Sequence, residues 1–128
     1  MTVSYWKAPK VIKFIKHYFE SKDSRGSITG LINSGSWQEI NVIESKAGIT
    51  RGGHYHRNTV EAFIILAGKI EIELRDLAGN TEKLTVKKND VFIIPVNTVH
   101  SFHCITNSKW INMLSIKHDP DNPDFHQQ

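Results

Sequence analysis

Cysteine is nearly absent from this sequence: the 128 residues include one, Cys104. A lone cysteine excludes an intrachain disulfide, so a hydrophobic core and not covalent cross-links must hold the fold together. Free thiols persist in reducing compartments, and the composition therefore favours such a compartment. A chain of this length can bury a sizeable core within one domain.

Long apolar runs are also missing. No stretch approaches the roughly 18 apolar residues that a membrane span needs. The first residues, MTVSYWKAPKVIKF, lack the apolar run of a signal peptide. These absences predict a cytoplasmic protein that has no membrane partner.

Like charges are not clustered along the chain. No run of one sign exceeds two residues, and 16 basic against 13 acidic side chains give a net charge of +3. Nucleic-acid-binding proteins normally carry a clustered basic face, so no nucleic-acid partner is expected. The small positive excess favours instead a small anionic ligand such as a nucleotide diphosphate.

Short alternating segments are what the sequence has in quantity. In Lys69–Asp76, Ile70, Ile72 and Leu74 alternate with polar residues, and the turn DLAGN joins this segment to TEKLTVKK, which predicts a hairpin. Further strands are predicted, in chain order, in VIKFIKHYF, SITGLIN, SWQEINVIES, EAFIILAG, VFIIP, VHSFHCIT and KWINMLSIKH. The first of these also fits a helical face; we interpret it as a strand. The pattern predicts an all-β sandwich or barrel, one domain over residues 1–128, with an irregular tail from about residue 118.

Two histidines and a glutamate lie close together in RGGHYHRNTVEAFIILAG, residues 51–68. Alternate side chains of a strand share a face, so His54 and His56 point the same way. Glu61 opens the next strand, and His100 begins a later strand that can pair back. Titratable groups beside apolar segments need partners, since unpaired burial costs several kcal/mol. We therefore predict one inward-facing site whose ligands suit Zn, Fe, Ni, Mn or Co.

The same residues resemble the cupin superfamily. The segment Gly48-x5-His54-x-His56-x4-Glu61-x6-Gly68 matches the first cupin motif in every position and spacing. This resemblance implies a cupin jelly-roll β-barrel.

The second cupin motif is less complete. It corresponds to Pro95-x-Asn97-x2-His100, with Asn89 six residues before the proline and Cys104 where the motif ends in asparagine. Cupins have glycine where this chain has Asn89 and Asn97. Asparagine best tolerates left-handed backbone angles after glycine, so the two turns are expected to survive.

Two further short motifs resemble cupins that act on nucleotide-linked deoxysugars: DSRGSI and the Arg51-Gly52 pair. Those cupins are the dTDP-4-keto-6-deoxyglucose 3,4-ketoisomerases, the dTDP-4-dehydrorhamnose 3,5-epimerases and the cupin domain of a capsular-polysaccharide reductase. The resemblance implies an isomerase or epimerase of a nucleotide-activated 4-keto-6-deoxy sugar in surface-polysaccharide or deoxysugar biosynthesis. It also implies that Arg25 and Arg51 contact the diphosphate or nucleotide, since guanidinium groups bind phosphate in a bidentate manner.

Two mechanisms fit the histidine cluster. In the resembled ketoisomerases and epimerases the histidines act as acid and base without metal, which makes His54 and His56 the candidate catalytic residues. The ketoisomerases usually have His-Ala-His followed by glutamine, whereas this chain keeps His-Tyr-His and Glu61, as the metal-holding capsular domain does. We therefore favour a divalent metal bound by His54, His56, Glu61 and His100, with zinc preferred over nickel, iron or manganese.

If the histidines hold a metal, the base must lie elsewhere, and His103 and Tyr55 are candidates. Three other histidines have no partner visible in the sequence and are expected at the surface: His17, His118 and His126. Three aromatic residues in or near strands belong more often to a core than to a stacking site: Trp37, Phe102 and Trp110. Cys104 shares the His100 face, and a buried inert thiol is its commoner role.

Two other functions fit the same residues. One is a metal-dependent cupin oxygenase or lyase acting on another small molecule, which a redox-active metal and oxygen consumption would mark. The other is a non-catalytic metabolite-binding cupin, which would bind a keto sugar without exchanging its protons. Small cupins usually pair edge strands or swap N-terminal strands, so the resemblance also implies a homodimer.

Overall fold

A computed structural model describes residues 11–127 of the chain. In chain order its strands are β1 (Lys13–Phe14), β2 (Phe19–Asp23), β3 (Gly26–Gly30), β4 (Glu39–Ser45), β5 (Thr50–His54), β6 (Glu61–Ala67), β7 (Lys69–Asp76), β8 (Thr81–Lys87), β9 (Val91–Ile94), β10 (Thr98–Cys104) and β11 (Ser108–Leu114). One antiparallel sheet has the order β1-β9-β6-β11-β4 and a second the order β5-β10-β7-β8, while β2 and β3 form a separate hairpin. The described residues contain no helix, which confirms the all-β prediction.

The main hydrophobic core includes side chains from both of the larger sheets. The five-stranded sheet contributes Phe63, Ile65, Phe92, Ile94 and Trp110, and the four-stranded sheet contributes Ile70, Ile72, Leu74, Val86, Phe102 and Cys104. In β7 the alternate residues predicted to face inward are all buried. The period of two in the sequence therefore records one face on the core and one face in water.

Strand β6 is buried on both faces. Phe63 and Ile65 point into the main core, while Ala62 and Ile64 belong to a second cluster that Trp37 helps to cover. This second cluster explains why EAFIILAG is continuously apolar and does not alternate. Glu61 therefore begins the most enclosed strand of the sheet.

The segment Val11–Phe19 does not form the single strand that we predicted. Only Lys13 and Phe14 pair with β9, and Ile15 donates a last main-chain hydrogen bond to Val91. The ladder ends there because β9 itself begins at Val91. The spacing of apolar residues in this segment could not reveal how short the partner strand is.

The chain after Leu114 forms no strand within the described residues, so β11 is shorter than KWINMLSIKH suggested. Residues 118–126, which we call the C-terminal strap, are irregular in backbone but hydrogen-bonded to the loop that follows β5. Across residues 11–127, no helix has the length and apolar character needed to cross a bilayer.

Candidate functional site

A bulge in β5 places two histidines opposite each other. His54 pairs with His100 and Gly52 with Ser101, so Gly53 is an additional residue in β5. Position 52 accepts only glycine, because its φ is +105° and a Cβ would lie 2.5 Å from the main-chain oxygen of His100. The result is a distance of 4.9 Å between the ring centroids of His54 and His100.

The turn before β10 holds the loop that carries His56. Asn97 has a φ of +57°, and its N–H donates to the main-chain oxygen of His56 at 2.7 Å. Asn89 has a φ of +75°. Both asparagines thus adopt the left-handed backbone expected at the glycine positions of the second cupin motif.

Glu61 completes the cluster. Its Oε1 lies 2.5 Å from Nε2 of His56 and 3.1 Å from Nε2 of His100. One candidate ligand atom from each of His54, His56, Glu61 and His100 lies within 4.8 Å of the others. His54 is half-buried and the other three are buried, so the structure brings the four predicted residues together in an enclosed place.

Two buried atoms of the cluster lack a hydrogen-bond partner among the described residues: Nε2 of His56 and Oε1 of Glu61. They approach each other closely, but without the alignment of a hydrogen bond. Buried polar atoms are nearly always hydrogen-bonded, so such a pair needs an explanation. Imidazole nitrogens and a carboxylate oxygen directed at one point are a suitable donor set for a divalent metal ion, and the four residues therefore fit one.

Main-chain carbonyls hold two of the imidazole rings. The Nδ1 of His100 lies 3.0 Å from the carbonyl oxygen of Thr98, and the Nδ1 of His56 lies 2.6 Å from that of Asp124. In these contacts Nδ1–H donates, which leaves Nε2 of each neutral ring free to face Glu61. Both rings are thus presented in the form that binds a metal.

The electrostatic surroundings of the four residues differ. Burial, followed by the neighbouring imidazoles of His100 and His56, lowers the pKa of His54 to about 4. Burial also acts to lower the pKa of His56, but the adjoining Glu61 carboxylate outweighs it and the pKa of His56 is raised. Burial acts to raise the pKa of Glu61, but His100 and His56 outweigh it, so the pKa of that carboxyl is lowered.

The second oxygen of Glu61 is fixed by an amide network. Oε2 accepts a hydrogen bond of 2.6 Å from Nδ2 of Asn112, whose Oδ1 accepts one of 3.1 Å from Nδ2 of Asn41. Asn41 also donates to Glu39, and the Glu39 carboxylate accepts the main-chain N–H of His118. With Oε2 held in this way, Oε1 is the oxygen that faces the histidines.

The cluster lies in the wall of a cavity of about 560 Å³. Phe63, Phe102 and Trp110 form apolar parts of the wall, and the exposed residues Arg51 and Phe125 also line it. A concave site of this size, mostly apolar with a few convergent polar groups, is typical of small-molecule binding.

The structure brings one of the two predicted phosphate-binding arginines to the cavity. Arg51 lines it, and its guanidinium donates to Ser45 and to the main-chain oxygen of Glu44. Arg25 instead forms a 2.7 Å ion pair with Asp23 in the β2–β3 hairpin, with 89% of its side chain exposed. Arg25 does not line the cavity of the single chain.

Neither alternative base candidate lines the cavity. His103 is exposed on the face of β10 opposite His100, and its Nδ1 lies 2.8 Å from the Thr50 hydroxyl. Tyr55 is buried, and its main chain pairs with His126. Cys104 is fully buried in the main core, in agreement with an inert thiol.

The aromatic predictions fit a core role. Phe102 and Trp110 are buried in the main core and also form cavity wall, while Trp37 packs on the second cluster and donates its indole N–H to Ser34. The expectation that His17 is a surface residue without a partner was wrong, because His17 is partly buried and its Nε2 lies 2.8 Å from the main-chain oxygen of Asn89.

Sequence reasoning missed the C-terminal strap. The ring centroid of Phe125 lies 5.0 Å from that of His54 and 5.1 Å from that of His56. His118 is exposed, as expected, but it lines the cavity beside Phe125. His126 is paired and partly buried, so its prediction as a free surface residue was wrong. The tail has no periodicity, and its one usable signal was an aromatic residue beside a histidine in a segment otherwise rich in proline and aspartate.

Comparison with known proteins identifies the family. The family model described as the polysaccharide biosynthesis C-terminal domain matches residues 21–125. The chain belongs to this family.

This polysaccharide-biosynthesis domain is similar to parts of two longer proteins. It is 27% identical over 109 residues to the UDP-2-acetamido-2,6-beta-L-arabino-hexul-4-ose reductase of Pseudomonas aeruginosa, covering 77% of this chain and 29% of that protein. It is 30% identical to CapF, the capsular polysaccharide assembling protein of Staphylococcus aureus, with a TM-score of 0.67 over 85% of this chain and 32% of CapF. The chain thus spans about a third of the length of these relatives.

A third similar protein matches over nearly its whole length. The TDP-quinovose 3,4-ketoisomerase WlaRB of Campylobacter jejuni is 21% identical, with a TM-score of 0.80 over 94% of this chain and 95% of its own. This match confirms the cupin jelly-roll fold. Together with the longer relatives it confirms the resemblance to nucleotide-sugar cupins.

Proposed function

We propose that this domain binds a divalent metal ion and acts as an isomerase or epimerase on a nucleotide-activated 4-keto-6-deoxy sugar. The observation that carries the proposal is the convergence of His54, His56, Glu61 and His100 in the wall of a cavity of about 560 Å³. The names of two similar proteins support the substrate class, since one is a reductase of a UDP-linked hexul-4-ose and another a TDP-quinovose ketoisomerase. Surface-polysaccharide or deoxysugar biosynthesis is the corresponding role.

Isomerisation or epimerisation next to a ketone begins with removal of the proton α to the carbonyl group. The reaction needs a positioned base and a group that stabilises the enolate oxygen. A divalent metal held by the four residues would polarise the ketone oxygen as a Lewis acid. We prefer zinc to nickel, iron or manganese because three imidazoles and one carboxylate suit its borderline-soft character.

With three histidines engaged as ligands, the proton carrier must be another residue of the cavity. Besides Arg51, the remaining charged or titratable side chains in the described lining are Glu39 and His118. Hydrogen bonds from the Asn41 side chain and, to a smaller extent, from the main-chain N–H of His118 lower the pKa of Glu39. The Glu39 carboxylate is therefore a weak base. We therefore assign His118 as the proton carrier.

The metal-free alternative gives the same histidines another role. A pKa of about 4 keeps His54 neutral at physiological pH, so its imidazole is in the unprotonated form that a base needs, although it is a weak base. His54 would then be the base and His56 the proton carrier, as in the ketoisomerases that the sequence resembles. Elemental analysis of the purified protein separates the two mechanisms.

The arginines are proposed to bind the diphosphate or nucleotide. Arg51 is placed for this role, because it lines the cavity and its side chain is oriented by Ser45. Arg25 braces the β2–β3 turn in the single chain, and its predicted contact with the nucleotide stays a prediction. An Arg51→Lys variant, which keeps the charge but loses the bidentate geometry, should raise the KM for the nucleotide sugar more than it lowers kcat.

We also propose a homodimer in the cytoplasm. The β2–β3 hairpin pairs with neither large sheet and exposes 65% of Ile28, while edge strand β4 exposes 65% of Ile40 and 60% of Val42. Exposed sheet edges and apolar side chains are commonly covered by a second copy of the chain. Light scattering after size-exclusion chromatography should give twice the chain mass, and an Ile40→Lys variant should shift the protein towards monomer.

The first experiment is elemental mass spectrometry of the purified protein beside a Glu61→Gln/His100→Ala double variant. We expect near one metal ion per chain in the native protein and none in the double variant. His103→Ala is the matched control, because it removes a histidine of the same strand on the opposite face and should keep the metal. Absence of metal even after reconstitution would contradict the metal site and return His54 and His56 to acid–base work.

The reaction is tested by mass spectrometry in deuterated water with a dTDP- or UDP-linked 4-keto-6-deoxy sugar. We expect deuterium at the carbon beside the ketone, and we expect His118→Ala to reduce its incorporation while the metal content stays unchanged. Oxygen consumption in place of exchange would favour an oxygenase. Binding of the keto sugar without any exchange would favour a metabolite-binding cupin.

A further inference from the structure

The C-terminal strap is fastened to the site by one carboxylate. Oδ1 of Asp124 accepts the main-chain N–H of Arg57 at 2.9 Å, and Oδ2 accepts those of Asn58 and Thr59 at 2.8 and 2.9 Å. The hydroxyl of Thr59 donates a fourth hydrogen bond of 3.0 Å to Oδ2. Both carboxylate oxygens therefore accept hydrogen bonds. Three of the four donors are main-chain amides, whose directions are fixed by the backbone.

His126 provides a second fastening point. Its main chain exchanges two hydrogen bonds of 3.0 Å with Tyr55, the residue between the two histidines of the first motif. Its ring nitrogen Nε2 lies 2.9 Å from Oδ1 of Asp124. The strap is thus joined to residues on both sides of His56.

These contacts fix the position of one carbonyl group. The main-chain oxygen of Asp124 accepts the Nδ1–H of His56 at 2.6 Å, across 68 residues of sequence. The corresponding partner of His100 is Thr98, two residues away in the same strand. His100 is therefore oriented locally, whereas His56 lies beyond the end of β5 and depends on a distant segment.

We propose that Asp124 is a positioning residue for the site: its carboxylate holds the strap on residues 57–59, and its carbonyl group holds His56 with Nε2 towards Glu61. The inference rests on the proposed function only in treating His56 as a site residue. It applies equally whether His56 binds a metal ion or carries a proton, because both roles need Nε2 in the same place.

Substitutions at Asp124 should act in a defined order. Asparagine has one acceptor oxygen, so Asp124→Asn must turn its NH₂ group towards either the Arg57 amide or the Asn58 and Thr59 amides. Asp124→Ala removes every hydrogen bond that the Asp124 carboxylate makes with residues 57–59 and with His126. We expect the effects to increase from the native protein to Asp124→Asn and then to Asp124→Ala.

Asp121→Asn is the matched control. It makes the same change of charge in the same segment. The main-chain N–H of Asp121 donates to the Asp119 carboxylate, and an asparagine at position 121 keeps this hydrogen bond. Asp121 lines neither the main cavity nor the smaller one between the strap and residues 56–59. We expect this variant to behave like the native protein.

The decisive measurement is nitrogen-15 NMR of the His56 ring in metal-free protein without substrate, at a pH where the ring is neutral. The native protein and Asp121→Asn should show the proton on Nδ1. Asp124→Ala should show loss of the Nδ1–H tautomer, with Asp124→Asn between them. Because the sample contains neither metal nor substrate, this result is independent of whether the proposed reaction is correct.

Zinc affinity provides the second reading. Loss of a group that orients a metal-bound histidine typically weakens metal binding by 10- to 100-fold, and we expect a loss of about that size in Asp124→Ala. An unchanged His56 tautomer in a folded Asp124→Ala protein would overturn the proposal. If Asp124→Ala does not fold, Asp124→Asn decides, and a fully native tautomer in that variant would equally overturn it.

Discussion

His54 and His56 are separated by one residue and face one cavity, but they are not equivalent. His54 is half-buried and shares its surroundings with two other imidazoles, so it is neutral down to a pH of about 4. His56 lies against the carboxylate of Glu61, which raises the pKa of His56. In metal-free protein, a proton shared by these two residues is therefore held on His56 and not on His54.

This difference predicts how metal binding depends on pH. A metal ligand must be a neutral imidazole, so the ion has to displace the proton from His56. Because the pKa of His56 is raised, competition by protons begins above the ordinary histidine value of about 6.5 and strengthens as the pH falls. Isothermal titration of zinc into metal-free protein, in buffers with different ionisation enthalpies, should show proton release near neutral pH and weaker binding in acid.

The cause of the proton release can be checked without a metal. An NMR titration of the metal-free Glu61→Gln variant should give His56 a lower pKa than in the native protein, because the carboxylate that stabilises the imidazolium is gone. A native His56 that titrates below about 6.5 would contradict the assignment.

At the level of strands and loops, sequence reasoning succeeded where a regular period places side chains. His54, Glu61 and His100 converge because strands alternate their faces and Glu61 follows a short connection, whereas His56 lies beyond the end of β5 and is held by Asp124. It failed where position depends on a partner that has no period of its own. The segment from Val11 pairs with β9 only as far as β9 extends, and the strap is held by the Asp124 carboxylate and by main-chain hydrogen bonds in a tail without apolar alternation.

The bulge in β5 gives an element-scale prediction. Gly52→Ala should destabilise the protein because it combines an unfavourable φ of +105° with a Cβ placed 2.5 Å from a main-chain oxygen. Gly79→Ala is the matched control, with a φ of +91° and nothing within 4 Å of the added Cβ. Backbone strain alone costs about 1–2 kcal/mol. Urea unfolding should show a loss of that size for Gly79→Ala and a clearly larger one for Gly52→Ala.

The two glycine variants also separate stability from site geometry. Gly52→Ala should weaken metal binding because it pushes β10, and with it His100, away from His54. Gly79→Ala lies in the β7–β8 turn and should bind metal normally. Equal losses of stability in the two variants would show that the close approach of β5 and β10 is not a constraint.

At the scale of the whole molecule, the candidate ligands join two sheets. His54 and His100 belong to the four-stranded sheet, and Glu61 begins the central strand of the five-stranded sheet. A metal ion bound by all of them would cross-link the two layers that enclose the core. Metal binding and global stability should therefore be coupled.

Calorimetry measures this coupling. At a free zinc concentration 100 times the dissociation constant, binding to the folded state alone contributes about 2.7 kcal/mol. For a domain of this size the melting temperature should rise on the order of 10 °C. Removal of the ion with a chelator should reverse the rise, and Glu61→Gln should show none. A melting temperature that zinc leaves unchanged in the native protein would contradict the cross-link.

The contact between His56 and Asp124 also constrains when the site can form during protein synthesis. The two residues are 68 positions apart, and β11, which lies between β6 and β4 in the sheet, follows both of these strands in the sequence. A nascent chain that stops before residue 108 lacks a neighbour of the strand that begins with Glu61, and one that stops before residue 124 lacks the carbonyl group that holds His56. The proposed metal ion would therefore be bound only after these segments have been translated.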